Sequence, residues 1–283
     1  MAAVRALLDE GAKALRGDDP RREPTLLLRH VLGTSDAWLV AHADDPVDVM
    51  PAAAFRALIE RRAGGEPIAY LTGTRGFHAL ELRVTPDVLI PRPDTELLVD
   101  LALQRVPDDT CAIADLGTGS GAVALALAHA RPRAYVLATD VSTAALDVAR
   151  RNAACLGSRN VEFVQGDWCA ALGDRRFDLI VSNPPYIAEA DPHLREGDLR
   201  FEPALALSSG PDGLDAIRSI ASGAQKRLRS GGWILLEHGF DQGSAVRDLL
   251  GGHAFGDVFT ARDLEDRERV SGGRAQTALT SNQ

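Results

Sequence analysis

An apolar run, FDLIVS (177–182), leads without a break into Asn183-Pro184-Pro185-Tyr186. Proline has no N–H to give a strand ladder and holds φ fixed, so the strand must end here. The carbonyls of the turn then stay free as acceptors. Asn183 adds a side-chain carbonyl, also an acceptor, and Tyr186 a flat aromatic face. Such a set suits a planar NH2 group whose nitrogen lone pair is delocalised and therefore a poor nucleophile. The Asn183 side-chain oxygen and the Pro184 carbonyl can hold both N–H bonds and turn the lone pair toward an incoming electrophile. A methyl group on a cationic sulfonium is one such electrophile. Attack on it disperses charge, so alignment and preorganised dipoles do the work and no carboxylate is required. Hydride transfer to a nicotinamide has no use for this hook.

Three further features point to what sits beside the hook. The segment DLGTGSGA (115–122) ends one apolar run and opens a helical one. Its glycines let the backbone turn sharply and approach a ligand closely. Gly117, Gly119 and Ala122 satisfy the loose dinucleotide fingerprint, and Thr118, Ser120 and Gly121 complete the loop. Asp140 closes the next strand and can accept hydrogen bonds from both hydroxyls of a ribose. Trp168 closes the one after that, in GDW (166–168), and offers a flat face to an adenine ring. These features specify an adenosyl cofactor and leave NAD and S-adenosylmethionine open; the hook favours the latter.

The elements that must position these residues alternate. Strands are expected at 111–116, 134–140, 161–167, 177–183 and 232–239, with helices between them at 122–131, 143–156 and 213–229. Ser142 suits a helix N-cap and Gly157 a helix C-terminus. Apolar strands interleaved with helices predict a doubly wound, mostly parallel sheet, whose ligands bind beyond the carboxyl ends of the strands. All the candidate residues lie at such ends. Upstream, Leu80, Leu82 and Val84 alternate with Glu81 and Arg83 as a half-buried strand does. Residues 90–103 read as a proline-rich turn feeding a helix, with Pro93 in its first turn and Asp94 and Glu96 at its positive end. Residues 1–75 carry helical spacing and no catalytic constellation. The expected organisation is a helical domain over 1–75, a β-hairpin linker over 76–90 and the main domain over 91–283. Three smaller candidates remain. Glu237 and His238 are neighbours that point to opposite faces of a strand, which favours a structural role. Arg200 and Glu202 are expected to pair within one loop. Arg92 can approach either a cofactor or a partner.

Composition narrows the classes. The chain has 283 residues, 45% of them hydrophobic and 25% charged, which excludes global disorder. The formal net charge of −9 argues against a phosphate-gripping nucleic-acid binder. Cys111, Cys155 and Cys169 form neither a disulfide framework nor a metal-ligand spacing, and the seven histidines show no ligand spacing, so no metal is expected. No apolar run reaches the ~20 residues that a membrane helix needs. The first residues carry Asp9 and Glu10 and lack a signal-peptide pattern, so the expected location is the cytoplasm.

At this point the chain resembles the PrmC/HemK family, the release factor glutamine N5-methyltransferases. The resemblance is carried by LIPRPDTELLVD (89–100), DLGTGSGAVALALA (115–128), ATD (138–140), GDW (166–168) and FDLIVSNPPYI (177–187). It continues through HLREGDLRFEPALALSSGPDGL (193–214), LLEHGFDQG (235–243), Asp263-Leu264 and Arg269-Val270, covering roughly residues 65–271. It implies an α/β fold: a class I, Rossmann-like S-adenosylmethionine-dependent methyltransferase domain with a seven-stranded sheet, behind a small N-terminal helical domain. It implies methylation of the glutamine in the Gly-Gly-Gln motif of class I bacterial-type peptide chain release factors, with no direct nucleic-acid or membrane partner. By position, Gly117, Thr118, Gly119, Ser120 and Gly121 would line the methionine part of S-adenosylmethionine, Asp140 its ribose and Trp168 its adenine. Asn183 would touch cofactor and substrate, and Pro184, Pro185 and Tyr186 would hold the glutamine amide. Cys169 departs from the family, where an aromatic residue commonly follows the tryptophan. Two rival readings are an amino methyltransferase acting on adenine or cytosine in nucleic acid and a non-catalytic S-adenosylmethionine-binding module.

Overall fold

The computed structural model describes residues 1–15, 19–106 and 110–276. The chain divides into two compact units, Met1–Thr74 and the remainder from Arg75 onward. In the first unit a short antiparallel pair, β1 (Ala2–Ala3) with β2 (Pro46–Val47), accompanies five helices: α1 (Val4–Leu15), α2 (Arg22–Leu32), α3 (Asp36–Ala41), α4 (Val49–Ala63) and α5 (Ile68–Thr72). Their apolar stripes close over Val4, Leu7, Leu27, Leu28, Phe55 and Ile59. Gly33 in the left-handed region ends α2, and the Ser35 hydroxyl caps α3 by accepting from the Trp38 amide.

The second unit opens with the hairpin of β3 (Thr74–Phe77) and β4 (Leu80–Arg83). The alternation seen in the sequence is real: Leu80, Leu82 and Val84 are buried while Glu81 and Arg83 are exposed. Phe77, Leu80 and Leu82 belong to the same apolar core as the central sheet, so by its packing the hairpin is part of this unit rather than a free connection. A 3-10 turn over Pro93–Thr95 leads into α6 (Glu96–Arg105). The chain then alternates through β5 (Ala112–Leu116), α7 (Ala122–Ala130), β6 (Tyr135–Asp140), α8 (Thr143–Leu156), β7 (Val161–Gln165) and β8 (Phe177–Ser182). It finishes with α9 (Asp215–Ala224), β9 (Leu228–Glu237), α10 (Gly243–Gly252), β10 (Phe255–Arg262) and β11 (Glu268–Ala275).

The last seven strands form one sheet in the order β10-β11-β9-β8-β5-β6-β7. The five from β5 to β9 run parallel, and β10 and β11 add an antiparallel margin. Both faces are covered, as a parallel sheet requires. Ile113, Val136, Leu179 and Val181 point into the core shared with α6, α7 and α8. Ala114, Leu116, Ile180 and Leu236 point to the opposite core with α9 and α10. Helix α7 is buried from Ala122 through Ala128, which explains its almost wholly apolar sequence. The Ser142 hydroxyl caps α8 by accepting from the Ala145 amide, and Gly157 ends it in the left-handed region.

From β5 the chain steps outward to β6 and β7, then returns to place β8 on the other flank of β5. That reversal opens a crevice beyond the carboxyl ends of β5 and β8, where ligands of such sheets bind. Register aligns the edge: Leu116 lies opposite both Thr139 and Ser182, and Ser182 opposite Leu236. Gly117, Asp140, Asn183 and Glu237 therefore leave the sheet at one level.

Two features differ from the sequence expectation. Helix α9 stops at Ala224 and β9 begins at Leu228, because buried Leu228 pairs with Phe177 and draws the chain into the sheet four residues early. Strands β10 and β11, implied by the resemblance alone, lack a readable alternation because Gly272 and Gly273 interrupt the latter. A Cβ on Gly272 would stand 2.6 Å from Leu235 and 2.7 Å from Phe259, so the glycine is there for close packing and not for a turn.

Asn152 on α8 ties three elements together. Its oxygen accepts from the Arg83 amide at 2.8 Å, and its amide nitrogen donates to the carbonyls of Arg83 at 3.0 Å and Ser120 at 2.8 Å. Asn152→Ala would take their side-chain partner from three backbone groups, the amide and carbonyl of Arg83 and the buried carbonyl of Ser120. It is expected to lower unfolding stability by about 2–4 kcal/mol, read as a lower thermal midpoint; an unchanged midpoint would refute this tie.

Candidate active site

The loop after β5 is held by its own backbone and by carboxylates. The amides of Gly117 and Thr118 both donate to the Thr139 carbonyl, at 2.9 and 2.8 Å. Asp115, fully buried, accepts from the Thr118 hydroxyl at 2.6 Å and from the Ala124 amide at 3.2 Å through one oxygen. Asp140 accepts from the Gly119 amide through one oxygen and from the Ser142 amide through the other, each at 2.9 Å. Gly117 has φ +73°, and a Cβ there would stand 3.1 Å from the Trp168 ring, so no other residue fits without displacing the indole. Trp168 itself holds φ +37°, a conformation that a bulky residue rarely adopts, at the start of a 3-10 turn.

The hook after β8 is anchored differently. The Ser182 hydroxyl donates to the Leu116 carbonyl at 2.6 Å, locking β8 to β5 at the crevice. Asn183 donates from Nδ2 to the Thr95 hydroxyl at 3.0 Å. The Tyr186 carbonyl accepts from Gln242 Nε2 at 3.0 Å. Ile187 then bridges to Ser208, with the Ile187 amide donating to Leu207 and the Ser209 amide donating to Ile187, both at 2.9 Å. This clasp folds residues 188–207 back toward the crevice.

Between loop, hook and clasp lies a cavity of about 570 Å³, within the usual range for a small-molecule site. Gly117, Thr118, Gly119, Ser120, Asp140, Trp168, Asn183 and Pro185, all singled out in the sequence, line it together. Gly121, Pro184 and Tyr186 are not on its wall. Gly121 starts α7 at φ +86°, pressed against Leu125 and Ala149, so its place is in the packing. Pro184 is buried, and Tyr186 lies behind the hook near Glu237. The wall also includes Arg92, Thr95, Asp115, Pro203, Leu205 and Ala206. Asp115 carried a readable signal, a carboxylate ending a buried strand; Thr95 carried none, being 88 residues from its partner.

The expected Arg200–Glu202 pair does not form. Buried Glu202 accepts from Arg92 and from the Ile90 amide, while the Arg200 guanidinium stacks on Phe201 at 4.9 Å. A buried carboxylate takes the partner that is also inward, and Arg92 lies on the cavity wall. His238 donates from Nδ1 to the Gly239 carbonyl and meets the Ser271 hydroxyl at Nε2, both at 2.8 Å. Burial holds its imidazole below the usual range, a neutral ring within a hydrogen-bonded chain.

Burial raises the pKa of the carboxyls around the cavity. Asp115 is pushed up to about 7, against the pull of the Thr118 hydroxyl and the Ala124 amide. Asp140 and Glu202 move in the same direction for the same reason, opposed by backbone amides and by Arg92 respectively. Glu237 also reaches about 7. Its oxygens make no hydrogen bond of full geometry, yet the Thr95 hydroxyl and the Arg269 charge still favour its ionised form.

Comparison with known proteins agrees with this geometry. Residues 93–197 match the model of the methyltransferase small domain, and residues 6–73 that of the PrmC N-terminal domain. The chain is 55% identical to a release factor glutamine methyltransferase of Xylella fastidiosa, over 90% of this chain and 93% of that one. It is 47% identical to the release factor glutamine methyltransferase of Escherichia coli, over 91% and 93%. The chain belongs to the release factor glutamine methyltransferase family. Its fold is that of class I methyltransferases, shared with a methyltransferase of Pyrococcus furiosus at 18% identity and a TM-score of 0.54, over 78% of this chain and 98% of that one. The family's characteristic loop and hook are the two segments that the crevice brings together here.

The Asp115 shift has a consequence for stability. Its folded pKa lies above the ordinary 3.8, so the folded state binds its proton more tightly. The contribution is complete below the unfolded value and is lost as pH rises through about 7. Asp115→Asn keeps an acceptor for Thr118 and Ala124 and removes the titration. Between pH 5 and pH 8 the variant is expected to gain about 1–3 kcal/mol relative to wild type. Parallel thermal-midpoint curves for the two proteins would contradict this.

Proposed function

We propose that this chain transfers the methyl group of S-adenosylmethionine to the side-chain amide nitrogen (N5) of the glutamine in the Gly-Gly-Gln motif of peptide chain release factors. The observation that carries the reading is Asn183. It stands on the cavity wall beside the glycine loop, with its amide nitrogen engaged by Thr95 and its oxygen left to accept.

The residues present fit S-adenosylmethionine. Each Asp140 oxygen receives one backbone amide and keeps a lone pair for a ribose hydroxyl. The indole of Trp168 presents a face where Gly117 leaves room, and the glycine loop brings backbone close to the methionine part. When bound, S-adenosylmethionine supplies an electrophilic methyl group on a sulfonium. The protein's part is to hold the acceptor. The Asn183 side-chain oxygen, on the cavity wall, takes an N–H bond of the glutamine amide and turns the nitrogen's lone pair toward the methyl. Once the nitrogen gains a further bond its protons become strongly acidic, so a strong resident base is not needed. Pro185 and Tyr186 stiffen the hook, and Pro203, Leu205 and Ala206 restrict the approach. A protein substrate needs no phosphate grip, which accords with a net charge of −9. Release factors place the reaction in the cytoplasm.

The test is methyl transfer from radiolabelled S-adenosylmethionine to a purified release factor and to a copy whose Gly-Gly-Gln glutamine is replaced. Label on the first alone is expected; label on DNA or RNA instead of the release factor would overturn the assignment. Asn183→Ala is expected to lower kcat at least about 100-fold, comparable to removing one preorganised dipole from an active site, while S-adenosylmethionine binding weakens far less. Equal turnover would contradict the alignment role.

A further inference from the structure

Thr95 occupies the position just before α6, where a threonine hydroxyl ordinarily accepts from the first turn of the helix. It makes no such bond, and it is 4% exposed. Its hydroxyl oxygen instead accepts from Asn183 Nδ2 at 3.0 Å. Near it is Glu237, at 0% exposure, the last residue of β9 and level with Asn183 at the sheet edge. Neither Glu237 oxygen has a hydrogen-bond partner, and the Thr95 hydroxyl is among the groups that favour its ionised form.

These facts constrain which way an amide can face. A hydroxyl has one hydrogen to give, and an ionised carboxylate can only accept. A Thr95 hydroxyl that turns its hydrogen toward the unpartnered Glu237 carboxylate has its oxygen left only to accept, as it does from the nitrogen of Asn183. The Asn183 oxygen must then face the cavity. Turned the other way, the side chain would set an NH2 group against the NH2 group of its substrate, donor against donor.

We propose that Thr95 is a positioning residue: it holds the Asn183 amide with its oxygen, and not its nitrogen, toward the acceptor nitrogen of the substrate. The inference rests on the reading of Asn183 as the group that binds the amide. It assigns to the PDT turn (93–95), which touches none of the reacting atoms, control over the polarity of the hook.

The experiment compares Thr95→Val, Thr95→Ala and Thr95→Ser with wild type at pH 8, using release factor and S-adenosylmethionine. Thr95→Val and Thr95→Ala are expected to lose 10- to 100-fold in kcat, a loss of one fixed dipole. The KM for release factor and the calorimetric Kd for S-adenosylmethionine should stay within about threefold, as for a group that acts in the transition state. Thr95→Ser, which keeps the hydroxyl, should recover to within about threefold of wild type. Retained binding shows that a variant is folded, and the Ala–Ser pair decides the matter should Val not fit. Wild-type kcat in Thr95→Ala, or equal losses in Ala and Ser, would overturn the proposal. Absence of label on the release factor with the wild-type protein would instead sink the functional reading beneath it.

Discussion

The structure depends on a matter of register. Leu116 pairs with Thr139 on one side and Ser182 on the other, so three strands end at one level beside a reversal of strand order. A shift of one residue in either ladder would send the side chains of that strand to the opposite face and move the end of the strand out of line. The Ser182 hydroxyl, bonded to the Leu116 carbonyl, secures the alignment from within. The glycine loop, the ribose-side carboxylate and the proline hook meet because the sheet edge is flush.

Around that edge the protein keeps Asp115, Glu202 and Glu237 out of water and Asp140 half-buried. Each costs solvation energy, and each faces a group that helps shape the crevice. Asp115 and Asp140 hold the glycine loop by its amides and the Thr118 hydroxyl. Glu202 joins the returning loop to Arg92 and Ile90. Glu237 lies beneath Thr95 and Tyr186. Desolvated carboxylates raise the pKa and weaken the fold as they ionise, so this preorganisation is obtained against stability.

The sequence was most legible where chemistry is local. Two prolines after an apolar run can mean little besides a strand that stops, and Ser142 and Gly157 bracket α8 as their types suggest. Glycine loop, Asp140, Trp168, Asn183 and Pro185 converge on one cavity as their places at strand ends imply. The failures are non-local. Arg200 sits two residues from Glu202, yet burial favoured Arg92, 110 positions away. Thr95 carries no local sign of its bond to Asn183, 88 positions away. Gly272 hides the alternation of β11, and the neighbours that demand a glycine there, Leu235 and Phe259, are distant in sequence. Gly121, Pro184 and Tyr186 belong to the motifs but not to the wall, since a motif records what a turn needs as well as what a ligand touches.

The most direct measurement of the central claim is a crystal structure with bound S-adenosylhomocysteine, the demethylated product. The account predicts adenine against Trp168, the ribose hydroxyls on Asp140 and the sulfur facing the Asn183 side chain across an open path. A product bound elsewhere, or a sulfur walled off from Asn183, would contradict it.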